Sequence, residues 1–347
     1  MQTGWLPRCV SFSGGGVRTI GHLGVLIRLM EENILSDVRE WYGTSGGSVS
    51  AIAGALGVSI GWLRTCVEYF DTYPMIDIQE DLVARFMTEW GVDSGNKYTE
   101  YIGKFMDTWE PGSSSWTFSQ LSKVRPGILL GIPAVNISTG DYVLFSVKTH
   151  PNMRILDAVR ASSSIPLFFT PWKDEKGDVY CDGGVKEYFP WSCIPKEKHD
   201  STLLIACHEK QLSPPIYTPI YTLTDYISRI FYFICHHHRD IHEVPTHKIV
   251  INDTRLDILD FYQTREERLS LVQSGIDAAS AWIKLHSSQG ISGIHPSSAP
   301  PDTLSSDRMT EPNTASDNPQ FQNRPLLPVR FLDSPIASQQ TSRRWSL

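Results

Sequence analysis

A three-layer α/β/α sandwich around a mostly parallel central sheet is the fold class this sequence predicts, on three observations. Short apolar runs stop at glycine-rich turns and are followed by apolar residues at helical spacing, twice within the first 60 residues. The run 128–137 is apolar enough to be buried on both faces, as a parallel strand covered on both sides would be. The 347 residues suffice for one large α/β domain plus a tail, and 41% hydrophobic with 20% charged residues lies in the ordinary globular range.

The first strand is Cys9-Val10-Ser11-Phe12, which ends at Ser13-Gly14-Gly15-Gly16. Ile20, Leu23, Ile27 and Met30 then recur at helical spacing, so a helix starts near Arg18. A second strand over 38–42 ends at Gly43, and Val49, Ile52, Ala53 and Leu56 mark the helix after it. Residues 60–73 read as a helix with Trp62, Leu63, Val67 and Phe70 inward, and 74–125 as turn-rich helical excursions forming a cap. Strands are expected at 128–137, 142–147, 179–181, 203–207 and 248–252, with helices over 155–162 and 265–285.

From about residue 286 serine and proline dominate and apolar residues thin out, so burial cannot offset the entropy of ordering. The expected organisation is an N-terminal arm (1–8), a core (9–207), an extension of the same domain (208–289) and a disordered Ser/Pro-rich tail (290–347). Arg343-Arg344-Trp345 in that tail reads as a short interaction motif.

The net charge, 31 minus 38 or −7, disfavours a nucleic-acid binder, which would carry a basic stripe. Cys9, Cys66, Cys181, Cys193, Cys207 and Cys235 form no C-x-x-C pair and read as reduced thiols in the cytoplasm. Residues 1–10 lack the apolar region of a signal peptide. No 18-residue apolar run occurs; the nearest, 226–235, contains Arg229.

Gly43-Thr44-Ser45-Gly46-Gly47 fits G-x-S-x-G, the turn that lifts a nucleophilic serine above a sheet, where glycines leave room for strand, helix and substrate. Its bland alternative is a Gly/Ser turn. Gly14-Gly15-Gly16 exposes backbone N–H groups that suit a phosphate or an oxyanion, against the alternative of a plain strand-to-helix turn. It fails the dinucleotide fingerprint at Thr19 and lacks the Gly-Lys-Ser/Thr ending of a P-loop. A serine nucleophile needs a base. Asp182-Gly183-Gly184 offers one, although Asp-Gly is also a common hairpin turn. A Ser…Asp…His order with His199 or His208 is the rival arrangement. Cys235-His236-His237-His238 with His242 and His247 invites a metal, but adjacent histidines on a helix diverge, and no metal or other cofactor is expected. Trp62, Phe70, Tyr73, Phe86 and Trp90 read as core or cap packing, and 220–234 as a buried helix in preference to a lid.

Taken in order, Ser13-Gly14-Gly15-Gly16-Val17-Arg18, Gly43-Thr44-Ser45-Gly46-Gly47 and Asp182-Gly183-Gly184 resemble the patatin-like phospholipase family. His22-Leu23-Gly24-Val25-Leu26 and Ala161-Ser162-Ser163-Ser164-Ile165-Pro166 agree, as does the strand pair over 136–145, and the match spans about 9–207. The resemblance implies a lipid acyl hydrolase of phospholipase A type with a Ser45–Asp182 dyad and no catalytic histidine. It implies an oxyanion held by Gly14, Gly15 and Gly16, with Arg18, Gly43, Gly47, Gly183 and Gly184 in supporting places. Phospholipid or another acyl-ester lipid would be the substrate, met through transient association with a membrane surface. Two departures stand out: Ser13 where some members carry Asp, and Thr19 in place of the usual glycine after Arg18. A catalytically weak lipid-binding or storage protein is the remaining alternative.

Overall fold

The computed structural model describes residues 5–78, 82–207, 227, 246–253 and 257–287. The tail 290–347 with its Arg343-Arg344-Trp345 motif, His208, the histidine-rich run 235–242 and, except for Ile227, the segment 220–234 lie outside the described residues.

The predicted alternation is present. Strand β1 (Cys9–Phe12) leads into a 3₁₀ turn (Gly16–Ile20) and helix α1 (Gly21–Glu31), then β2 (Glu40–Gly43) into α2 (Gly46–Leu56). The second strand starts at Glu40 and not at Val38, because the Val38 N–H closes a turn on the Leu35 carbonyl. Helix α3 (Ile60–Tyr69) is capped by Ser59, whose hydroxyl accepts the Trp62 N–H at 3.1 Å. It stops short of the expected residue 73. Distant partners take over the chain there: the Asp71 N–H donates to Tyr101 Oη (2.8 Å) and Thr72 Oγ1 to the Phe261 carbonyl (2.8 Å).

The cap region contains α4 (Leu82–Glu89), β3 (Gly91–Asp93), α5 (Asn96–Trp109) and α6 (Phe118–Val124). Then come β4 (Leu129–Asn136), β5 (Tyr142–Phe145), α7 (Ile155–Ser162), β6 (Leu167–Phe169), β7 (Trp172–Lys173), β8 (Val179–Asp182), β9 (Thr202–Ala206), β10 (His247–Val250) and α8 (Arg265–Ser287). Strands β3 and β6 pair as a small parallel sheet that the sequence pattern does not announce.

The main sheet runs β10-β9-β1-β2-β4-β8-β7, with β5 on β4. From β10 to β4 every pairing is parallel; β5, β8 and β7 join antiparallel. β1 and β9 are buried at every position, so both faces of the sheet are covered. Val10, Phe12, Trp41, Leu130 and Ile205 enter the main core, while Cys9, Tyr42 and Leu129 pack with Trp191 and Ile194. A 3₁₀ turn, Trp191–Cys193, thus lines the second face at the sheet centre.

β4 sets the geometry that matters most. It pairs with β2 along Leu129–Gly131 and with the oppositely directed β8 along Ala134–Asn136. The C-terminal ends of β2 and β8 therefore point toward each other across Ile132 and Pro133, and Gly183 lies against the Pro133 carbonyl and Thr44.

Helices α1 and α8 touch backbone to backbone. A Cβ on Gly275 would sit 2.0 Å from the Gly21 carbonyl oxygen, and one on Gly24 equally close to that of Val272. Gly275→Ala should therefore destabilise the protein by about 2–4 kcal/mol in denaturant unfolding. Gly61→Ala, on an open face of α3 with no atom nearer than 4.0 Å, should be neutral or slightly stabilising.

Candidate active site

Ser45 sits between β2 and α2 with φ 53° and ψ −130°, a region that side chains other than glycine rarely occupy. Such strain persists only where the surroundings over-determine it. Here the Thr44 N–H donates to the Phe12 carbonyl (3.2 Å), and the Ser45 N–H to Ser162 Oγ (2.9 Å). Ser48 Oγ donates back to the Ser45 carbonyl at 2.6 Å. The flanking glycines are steric necessities: a Cβ on Gly43 would lie 2.3 Å from the Gly47 carbonyl oxygen, and one on Gly47 2.3 Å from that of Ser13.

Asp182 ends β8 facing this turn. It is fully buried; its N–H donates to the Ser164 carbonyl (2.9 Å), and its Oδ1 accepts the Gly184 N–H (2.7 Å). Burial pushes the carboxyl up to about 7, while the nearby Ser45 hydroxyl and the Gly184 N–H pull it back toward the charged form. Oδ2 accepts no hydrogen bond of ordinary geometry. The Ser45 hydroxyl is near enough to favour the charged carboxyl without making such a bond to Oδ2.

The glycine loop lies beside the serine. Gly14 packs near Ser45 Cβ, but its N–H donates to the Tyr188 carbonyl at 2.9 Å. The N–H groups of Gly15 and Gly16, and of Gly46 after the serine, have no acceptor among the described residues. Gly16 adopts φ 56°, and a Cβ there would meet the Ile258 carbonyl oxygen at 2.0 Å.

Ser45 lines a narrow cleft walled by apolar groups that include Leu23, Phe70, Ile102, Phe105, Phe169 and Phe261. Phe70 packs against the core, as expected, and also lines the cleft. Trp62 is buried in the core, whereas Tyr73 and Trp90 are exposed.

His199 does not reach this region. It stacks on Trp191 at 3.9 Å, donates from Nε2 to the Ile194 carbonyl (3.0 Å), and precedes β9 at the end of the sheet opposite Ser45. Arg18 has a half-buried side chain whose charge lowers the pKa of the Cys207 thiol, which burial otherwise raises.

Several residues without a predicted role frame the site. The Ser162–Ser164 segment holds Ser45 through Ser162 and Asp182 through Ser164, and Ser163 Oγ meets Tyr98 Oη at 3.1 Å. The run of three serines was the available signal. Cys207 backs Gly15, and its Sγ lies 3.0 Å from His22 Nε2, whose Nδ1 faces Ser50 Oγ at 3.3 Å. Burial pushes His22 down to about 3 and the thiol up to about 12, so both are neutral. Both contacts are therefore hydrogen bonds between neutral groups.

The patatin-like phospholipase family profile matches residues 10–192, a span that includes Gly15, Ser45 and Asp182. The chain belongs to this family. It is 27% identical over 178 residues to "Probable lipid hydrolase 463L" of invertebrate iridescent virus 6, covering 51% of this chain and 60% of the viral protein. It is 23% identical over 292 residues to "Uncharacterized protein YqhO" of Bacillus subtilis (strain 168), covering 79% of this chain and 97% of that one. The crystal structure of VipD from Legionella pneumophila shares the fold, with a TM-score of 0.55 and 15% identity over 81% of this chain and 67% of VipD. The patatin-like core of this chain is thus a mostly parallel sheet flanked by helices, as expected. Among the described residues no helix is long and apolar enough to cross a membrane, and no cluster of three metal-ligating side chains occurs.

The buried acid has a thermodynamic signature. Its folded pKa, about 7, lies above the unfolded value of 3.8, so the folded state holds the proton more tightly and stability falls as pH rises between them. Asp182→Asn should therefore raise stability at pH 8, by up to about 4 kcal/mol, and the gain should shrink toward zero near pH 4 in denaturant titrations.

Proposed function

We propose that this protein hydrolyses fatty-acyl esters of phospholipids or related lipids through Ser45 and Asp182. One observation carries the reading: a strained serine lines an apolar cleft, while a buried carboxylate with an unused oxygen faces the same turn. The family and the printed name of the viral relative support a lipid hydrolase.

In the first half-reaction Ser45 Oγ attacks the ester carbonyl carbon and passes its proton to Asp182 Oδ2. The carbonyl electron pair moves onto oxygen, where the N–H groups of Gly15, Gly16 and Gly46 receive it; preorganised donors of this kind contribute several kcal/mol. The tetrahedral adduct then expels the alcohol, which leaves with the Asp182 proton, and an acyl ester remains on Ser45. In the second half-reaction water attacks that ester and gives its proton to Asp182. Collapse of the adduct returns the proton to Ser45 Oγ and releases the fatty acid. The chain needs no metal in this scheme, because the carboxylate activates the nucleophile and backbone N–H groups stabilise the oxyanion.

The apolar cleft would take the acyl chain and leave the polar headgroup at the mouth, which suits a substrate presented by a membrane surface. The described cysteines are all unpaired, in keeping with a cytoplasmic setting. We assign the chemistry to residues 9–207, with 208–289 completing the domain.

Ser45→Ala should abolish hydrolysis of a short-chain chromogenic ester and of phospholipid vesicles, with chelator present throughout. Asp182→Asn should lower kcat/KM on the order of 10³-fold, while His199→Ala and His208→Ala should leave it unchanged. Because the base must be ionised, kcat/KM should rise with pH and level off above an apparent pKa of about 7. A histidine variant as damaged as Asp182→Asn would replace the dyad with a triad.

A further inference from the structure

Thr19 occupies the position after Arg18 where the family's usual residue is glycine, and the structure gives that side chain two neighbours that matter. Its hydroxyl donates to the Gly16 carbonyl at 2.7 Å. It also lies against Gly46: a Cβ there would sit 2.6 Å from Thr19 Oγ1 and 3.0 Å from Thr19 Cγ2. A Cβ on Gly15 would meet the same methyl at 3.5 Å. One side chain therefore touches Gly15, Gly16 and Gly46, which come from two turns separated by the whole of α1 and β2. These are the residues whose N–H groups lack an acceptor among the described residues.

We propose that Thr19 is a positioning residue that fastens the glycine loop to the serine turn, so that N–H donors from both converge on one oxyanion. This inference rests on the acyl-transfer reading above. The physical need is strict, since donors count only when they sit about 2.7–3.1 Å from the oxygen as it becomes charged. A glycine loop with φ values of 150° and 56° at Gly15 and Gly16 has wide conformational freedom of its own. The Thr19 hydroxyl removes part of it by fixing the Gly16 carbonyl. A glycine at position 19 could make neither contact. Thr19 is nearly buried, at 9% exposure, and its place beside Ser45 in the cleft wall keeps water from competing for the Gly16 carbonyl.

The test compares Thr19→Val, which keeps the shape and removes the hydroxyl, with Thr19→Ser, which keeps the hydroxyl and removes the methyl. On a chromogenic ester, Thr19→Val should lower kcat on the order of 10- to 100-fold with KM within about threefold, and Thr19→Ser should stay within about threefold of wild type in both. Ser45 labelling by a fluorophosphonate, which builds the tetrahedral geometry, should slow in Thr19→Val by a similar factor. Unchanged kcat in Thr19→Val overturns the inference. So does a rise in KM alone, which would make Thr19 a wall of the cleft, or a larger kcat loss in Thr19→Ser than in Thr19→Val, which would assign the effect to the methyl. Ser45→Ala, run alongside, separates the two levels. If wild type turns over and Ser45→Ala does not, a failure of the Thr19 result concerns Thr19 alone. If wild type neither hydrolyses ester nor labels at Ser45, the acyl-transfer reading falls and this inference falls with it.

Discussion

The backbone at Ser45 is the constraint on which the rest of the site depends. Its positive φ carries a steric penalty of about 1–3 kcal/mol for a residue with a side chain. What holds it is a set of close approaches that tolerate no added atoms: Gly47 under the Ser13 carbonyl, Gly43 against Gly47, Thr44 bonded to Phe12. The first and last of these join the β2–α2 turn to the end of β1. The serine turn is consequently tied to the end of β1, from which the glycine loop departs.

Electrostatics adds a second demand. Asp182 is a carboxyl with no buried cation beside it, and burial is the largest influence on its acidity. In a site of this kind a base near neutrality is obtained by withholding water, and the same withholding makes the charged form costly to the fold. The two backbone bonds it makes, to Ser164 and from Gly184, fix its position without neutralising it. Placing a formal partner there would stabilise the protein and weaken the base.

Much of this was legible along the chain because strand, glycine turn and helix follow one another within about twenty residues, and periodicity reports such local order well. The three motifs at Gly14, Ser45 and Asp182 fall at strand ends as read. What was not legible depends on long-range pairing. The β3–β6 sheet joins three-residue strands 76 positions apart, too short to show alternation. The bond from Ser45 to Ser162 spans 117 positions, and a serine run inside a helix looks like a weak helix former and no more. The Gly14 N–H is lost to Tyr188, from a loop whose path no pattern foretells. His199 looked eligible because order along the chain does not say which end of β9 a residue precedes.

That last distinction explains why the sheet is mixed. In a parallel array, the C-terminal strand ends lie side by side along one edge, which suits two turns that must cooperate, such as those after β1 and β2. It does not bring a carboxyl head-on to the serine. The antiparallel β8 solves this by running toward β2 along the same strand, β4, with Ile132 and Pro133 as the gap between them. A parallel β8 would carry Asp182 away from Ser45 at about 3.3 Å per residue, beyond contact within two positions. The change of strand direction at β4 is therefore what brings a serine on one strand end and an acid on another to the same point.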